Sequence, residues 1–63
     1  MKLLLVEDEQ RLAERLATTF GDAGYAVDVA NDGEQADFLA HTERYDIVVL
    51  DLGLPKVDGL TLS

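Results

Sequence analysis

Two short, nearly continuous apolar runs constrain this chain most: Lys2-Leu3-Leu4-Leu5-Val6 and Asp46-Ile47-Val48-Val49-Leu50. Neither shows the polar–apolar alternation of a strand with one wet face. Such runs are the mark of parallel strands covered on both sides. Residues 2–6 are therefore read as β1 and residues 46–50 as β3. Between them, residues 26–30 (Ala-Val-Asp-Val-Ala) set Asp28 between two valines. That more one-sided pattern predicts an edge strand, β2.

The intervals between the strands carry helical spacing. In the 7–25 interval, Leu12, Leu16 and Phe20 recur with Ala13 and Ala17 beside them, which predicts a helix, α1, ended by Gly21 and Gly24. In the 31–45 interval, Asn31 is placed to cap a second helix, α2, with Glu34 reaching back as in a capping box. Ala36, Leu39 and Ala40 form its expected buried stripe. Asp58 is placed to cap a third helix that has barely started at Ser63.

The order β1-α1-β2-α2-β3 with right-handed crossovers leaves few topologies. With β2 at an edge, β3 lies on the other side of β1, giving strand order 2-1-3, and α1 and α2 cover opposite faces. The connection reverses direction between β1 and β3, and open α/β sheets bind ligands outside the strand carboxyl ends at such a switch point. Glu7, Asp8 and Asp51 fall there. The apolar sequence of β3 reads as a central strand, yet this segment supplies no strand for its far side, and a bare apolar edge invites association. The expectation is half of a doubly wound parallel domain: one unit over residues 1–63, with a homo-oligomer forming through the β3 edge.

Composition narrows the function classes. At 63 residues the chain makes at most one small domain, and its 48% hydrophobic content argues against disorder. The absence of cysteine excludes disulfides and thiolate metal sites and fits a reducing cytosol. No apolar run approaches the ~20 residues that span a bilayer, and the four-residue apolar run after Lys2 is too short for a signal peptide. No membrane contact and a cytoplasmic location are expected. A net charge of −8 repels phosphate backbones, so no nucleic-acid contact is expected of these residues, whereas a cation or a basic partner is favoured.

The acids carry the chemistry. Glu7-Asp8-Glu9 follows β1, and Asp51 follows β3 into the turn Leu52-Gly53-Leu54-Pro55. Neighbouring parallel strands lie about 4.8 Å apart, so these carboxylates can converge on one point. Converging carboxylates repel one another, and a hard divalent ion relieves that. Mg²⁺ suits the donor set, with Asp8 and Asp51 as direct ligands, Glu7 acting through water and the Gly53 carbonyl completing the protein side. Asp51, at the mouth of a turn, is also the candidate nucleophile toward phosphorus. The plainer reading is that Asp51 ends a strand and Glu7-Asp8-Glu9 favours the positive end of α1.

Three stretches together resemble the receiver domain of bacterial two-component response regulators: Leu3 to Glu9, Ala30 to Ala36, and Asp46 to Leu60. The style is similar to regulators in which a winged-helix DNA-binding domain follows. The resemblance implies the N-terminal half of a flavodoxin-like fold, truncated at the start of its third helix. It also implies that Asp51 is phosphorylated by a sensor histidine kinase. Glu7 and Asp8 would then be the acidic pair for Mg²⁺, and the Gly53 carbonyl a further ligand. Pro55, Asp58 and Gly59 would shape the loop. Such a protein is a phosphoacceptor and not an enzyme. A complete receiver continues through two more strands; its switch hydroxyl and phosphate-binding lysine have no match here, and neither Lys2 nor Lys56 takes the lysine's place.

Other residues read plainly. His41 is a solvent-facing histidine near the end of α2, Tyr25 and Tyr45 cover strand ends, and Phe20 and Phe38 are core or flank residues. A reading from another class makes the chain a truncated or engineered half-domain that self-assembles through antiparallel β3 strands. A phosphohydrolase of the haloacid dehalogenase kind fits poorly, because Gly53 stands where that family has its second aspartate.

Overall fold

The computed structural model describes residues 1–50, so the expectations placed on Asp51, Gly53, Pro55, Asp58 and Gly59 lie outside the described residues. The elements are β1 Lys2–Val6, α1 Gln10–Asp22, β2 Ala26–Ala30, α2 Gly33–Thr42 and β3 Ile47–Leu50. The strands form one sheet in the order β2-β1-β3, with both pairings parallel. This is the expected order.

Because side chains alternate along a strand, the unbroken apolar run of β1 serves two cores at once. Leu3 and Leu5 join Ala13 of α1, with Leu16, Ala17 and Phe20 packed against them. Leu4 and Val6 face the other way, joining Ala30 and the α2 residues Ala36 and Leu39. The helices therefore cover opposite faces. All four β1 side chains from Leu3 to Val6 are buried. At roughly 1.5–3 kcal/mol per buried aliphatic side chain, β1 is the main apolar contribution of the sheet.

The end of α1 shows how the core on its own face is closed. Ala23 is the C-cap, and Gly24 follows at φ 103°, a conformation that a Cβ disfavours. The Tyr25 amide donates to the Phe20 carbonyl at 3.1 Å and the Gly24 amide to the Gly21 carbonyl at 3.0 Å, the paired bonds of a Schellman motif. The accompanying apolar contact is aromatic: the Phe20 and Tyr25 rings meet edge to face, 6.2 Å apart. Gly24, rather than Gly21, is thus the glycine that the turn requires.

Several expectations are corrected. Asp32, not Asn31, caps α2: its Oδ1 accepts from the Gln35 amide at 2.8 Å, while Gln35 Oε1 reaches back to the Asn31 amide at 2.8 Å. The reciprocal pair is one residue later than Asn31 and Glu34, which puts an anionic oxygen at the positive helix end. The stripe narrows to Ala36 and Leu39, and Ala40 is exposed, because two residues one turn apart suffice to cover Leu4, Val6 and Ala30. Phe38 is 65% exposed and joins no core; it lies about 200° around the helix from Ala36. Asp46 also stands just outside β3. Its amide donates to the Lys2 carbonyl at 2.8 Å and its Oδ2 accepts from the Lys2 amide at 2.7 Å, so its side chain closes the end of the ladder.

Candidate functional site at the strand carboxyl ends

The parallel register levels the strand ends. Val6 pairs with Ala30 on one side and with Leu50 on the other. Glu7 begins immediately beyond, and its amide continues the ladder by donating to the Ala30 carbonyl at 2.9 Å. That bond fixes the backbone from which the first acidic cluster departs.

The three acids then part ways. Glu7 turns inward and is fully buried. Its Oε2 accepts from the Glu9 amide at 2.9 Å, while its Oε1 has no hydrogen-bond partner among the described residues. Asp8 is exposed. Glu9 is the N-cap of α1, with extended backbone and a side-chain Oε1 that accepts from the Leu12 amide at 2.8 Å. The Ala13 amide donates to the Glu9 carbonyl at 2.9 Å and starts the helix. Glutamate is not among the preferred N-caps, so propensity gave Glu9 no individual role. The available signal was Leu12, three residues on, opening the apolar stripe.

A buried carboxylate oxygen without a donor is costly: leaving such a group unmet takes about 1–3 kcal/mol, and more when it is charged. A cation or a proton donor relieves it. The donor set here, a buried Glu7 oxygen beside an exposed Asp8 carboxylate, is the hard oxygen chemistry that suits Mg²⁺. Among the described residues, no group of three or more His, Cys, Asp or Glu converges tightly enough to hold a metal by itself. Asp51 and Gly53, the other expected donors, follow Leu50 in sequence outside the described residues.

A second polar cluster lies at the opposite end of the sheet. Tyr45 donates from its hydroxyl to Asp28 Oδ2 at 2.7 Å, and Lys2 Nζ donates to Glu43 Oε1 at 2.8 Å while lying over the Tyr45 ring. Burial and the Asp28 hydrogen bond push the Tyr45 phenol up to about 12. The hydrogen bond to Glu43 raises Lys2 above its ordinary value. These groups tie the entry of β3 to β1 and β2 at the amino ends, away from the switch point. His41 is exposed on α2, its Nδ1 2.7 Å from the Asp37 carbonyl, as a plain helix-surface histidine. No helix of the described residues is long and apolar enough to cross a membrane.

The model of the response regulator receiver domain family matches residues 3–63. The chain belongs to this family. The receiver is 48% identical over 62 residues to the transcriptional regulatory protein PmrA of Pectobacterium parmentieri, covering 98% of this chain and 28% of that protein. It is 45% identical over 62 residues to the two-component response regulator PhoP of Pseudomonas aeruginosa, with the same coverage. It is 46% identical over 59 residues to the transcriptional regulatory protein CusR of Escherichia coli K12, covering 94% of this chain and 26% of CusR. The chain thus spans about a quarter of the length of these relatives. Among solved structures, the receiver domain of Francisella response regulator 1452 superposes with a TM-score of 0.79 at 38% identity, over 92% of this chain and 48% of that one. The sheet order β2-β1-β3 is that of the flavodoxin-like receiver fold.

Proposed function

We propose that this receiver is the phosphoacceptor of a two-component system, taking its phosphoryl group on Asp51 from a histidine of a sensor kinase. In the transfer, a carboxylate oxygen of Asp51 attacks phosphorus as the bond from phosphorus to the kinase histidine breaks. That nitrogen keeps the electron pair, so neither oxidant nor reductant is needed. Glu7, Asp8, Asp51 and the Gly53 carbonyl are the residues assigned to hold Mg²⁺. When bound, the ion would supply charge neutralisation to the phosphoryl oxygens, most of what such a transfer asks of its site. The parallel register levels Val6 with Leu50, and the fold keeps Glu7 out of water.

One observation carries the reading. The Val6–Leu50 register sets the position before Asp51 beside the position before Glu7, and Glu7 is buried with one oxygen unmet among the described residues. Transcription control through a further domain is inferred from the relatives' names alone. The test is phosphotransfer from a sensor kinase, followed by intact mass, to the protein in its natural context. Asp51→Asn should abolish the adduct and Glu7→Gln should reduce it strongly. Undiminished transfer to Asp51→Asn would overturn the assignment.

Family membership does not favour the chain as a purely structural unit. Self-association is a separate inference: among the described residues β3 is an outer strand, and its Val48 and Leu50 are 51% and 71% exposed. Light scattering over a concentration series tests it, and a strict monomer refutes it.

A further inference from the structure

Two short hydrogen bonds in series join the buried acid to the first turn of α1. The Glu9 amide donates to Glu7 Oε2 at 2.9 Å, and the Leu12 amide donates to Glu9 Oε1 at 2.8 Å. Glu9 therefore sits between the cation site proposed above and the helix, touching both and exposed itself. Its backbone occupies one oxygen of Glu7 and leaves the other, Oε1, unmet among the described residues.

We propose that Glu9 is a positioning residue for the cation site: by capping α1 it holds the Glu7 carboxylate in the orientation that presents Oε1. The inference rests on the Mg²⁺ reading and adds a residue to it that is not a ligand. The physical basis is direct. A carboxylate gripped at one oxygen has lost its rotation, so a cation meets a preorganised donor. The grip requires the Glu9 amide to point at Glu7, and that in turn requires the Glu9 backbone to stay in its extended cap conformation, φ −93° and ψ 112°. When the side-chain cap goes, the first turn frays and the amide swings free.

Coupling of this kind is reciprocal. If the cap aids Mg²⁺ binding, Mg²⁺ must strengthen the cap. The fold contains its own control, because the Gln35 amide is held by Asp32 Oδ1 at the same 2.8 Å at the start of α2, away from Glu7.

The experiment is Mg²⁺ titration by calorimetry on the wild type, Glu9→Asn, Glu9→Ala and Glu7→Gln, with amide hydrogen exchange at Leu12 and Gln35. Both Glu9 variants lose the same negative charge, and only asparagine can cap. The Glu9→Asn protein should bind Mg²⁺ about 3–10-fold more tightly than Glu9→Ala, the range that a cap contributes. Mg²⁺ should slow exchange at Leu12 more than at Gln35 in the wild type, with the difference lost in Glu9→Ala. Equal affinities for Glu9→Asn and Glu9→Ala, or equal slowing at the two amides, would overturn the positioning role while leaving the Mg²⁺ site standing. Unchanged affinity in Glu7→Gln would overturn the Mg²⁺ reading itself, and the positioning role with it.

Discussion

Glu7→Gln separates the stability of this receiver from its function. Glu7 is fully buried, with one oxygen held by the Glu9 amide and the other without a partner among the described residues. Glutamine has nearly the same shape, keeps an acceptor for the Glu9 amide and removes the charge. The unmet group then remains, but as a neutral one. The difference between a charged and a neutral unmet group is roughly 1–2 kcal/mol, so the variant should be more stable than wild type in EDTA by about that much. For a chain of this size, that shifts the melting temperature up by about 4–16 °C. Adding Mg²⁺ should reverse the order. At a hundred times its Kd, a ligand specific to the folded state stabilises it by about 2.7 kcal/mol, and only wild type should gain this. The assay is thermal unfolding by circular dichroism, with and without Mg²⁺. A variant less stable than wild type in EDTA would refute the claim that Glu7 is held at a cost for the sake of a cation.

Three further outcomes are expected. Gly24→Ala should destabilise by about 1–2 kcal/mol in urea unfolding, purely through its backbone, since φ is 103° and a Cβ there meets nothing within 4 Å. Asp32→Ala should cost about 1 kcal/mol and Asn31→Ala far less, because Asp32 caps with its side chain whereas Asn31 uses only its amide. Equal losses in that pair would place the cap wrongly. Alkaline stability should follow the Lys2–Tyr45 cluster. The folded phenol of Tyr45 titrates at about 12 against an ordinary 10.0, and Lys2 is likewise raised. The native state therefore holds more protons across that interval. Stability is fully present below pH 10.0 and falls as the pH climbs toward 12. Urea midpoints measured along that range should flatten in Tyr45→Phe.

The sequence alone determined the sheet. The unbroken apolar run of β1 demands cover on both faces, and alternating strands and helices with right-handed crossovers then admit little besides 2-1-3, the order observed. It also makes the carboxyl ends the expected place for chemistry, because acids after two apolar runs have few structural reasons to be there. What it left open was settled by which neighbour each group meets. Asn31 and Asp32 are both good caps, and only the fold shows that Asp32 takes the role. Ala40 fits a helical stripe by spacing, yet the narrow contact over Leu4, Val6 and Ala30 leaves it exposed. Glu7, Asp8 and Glu9 read as one charged run. Tertiary structure divides them, because the ladder bond from Glu7 to Ala30 and the start of α1 at Gln10 leave three residues to turn the chain. In that turn one acid is buried, one faces water and one caps a helix.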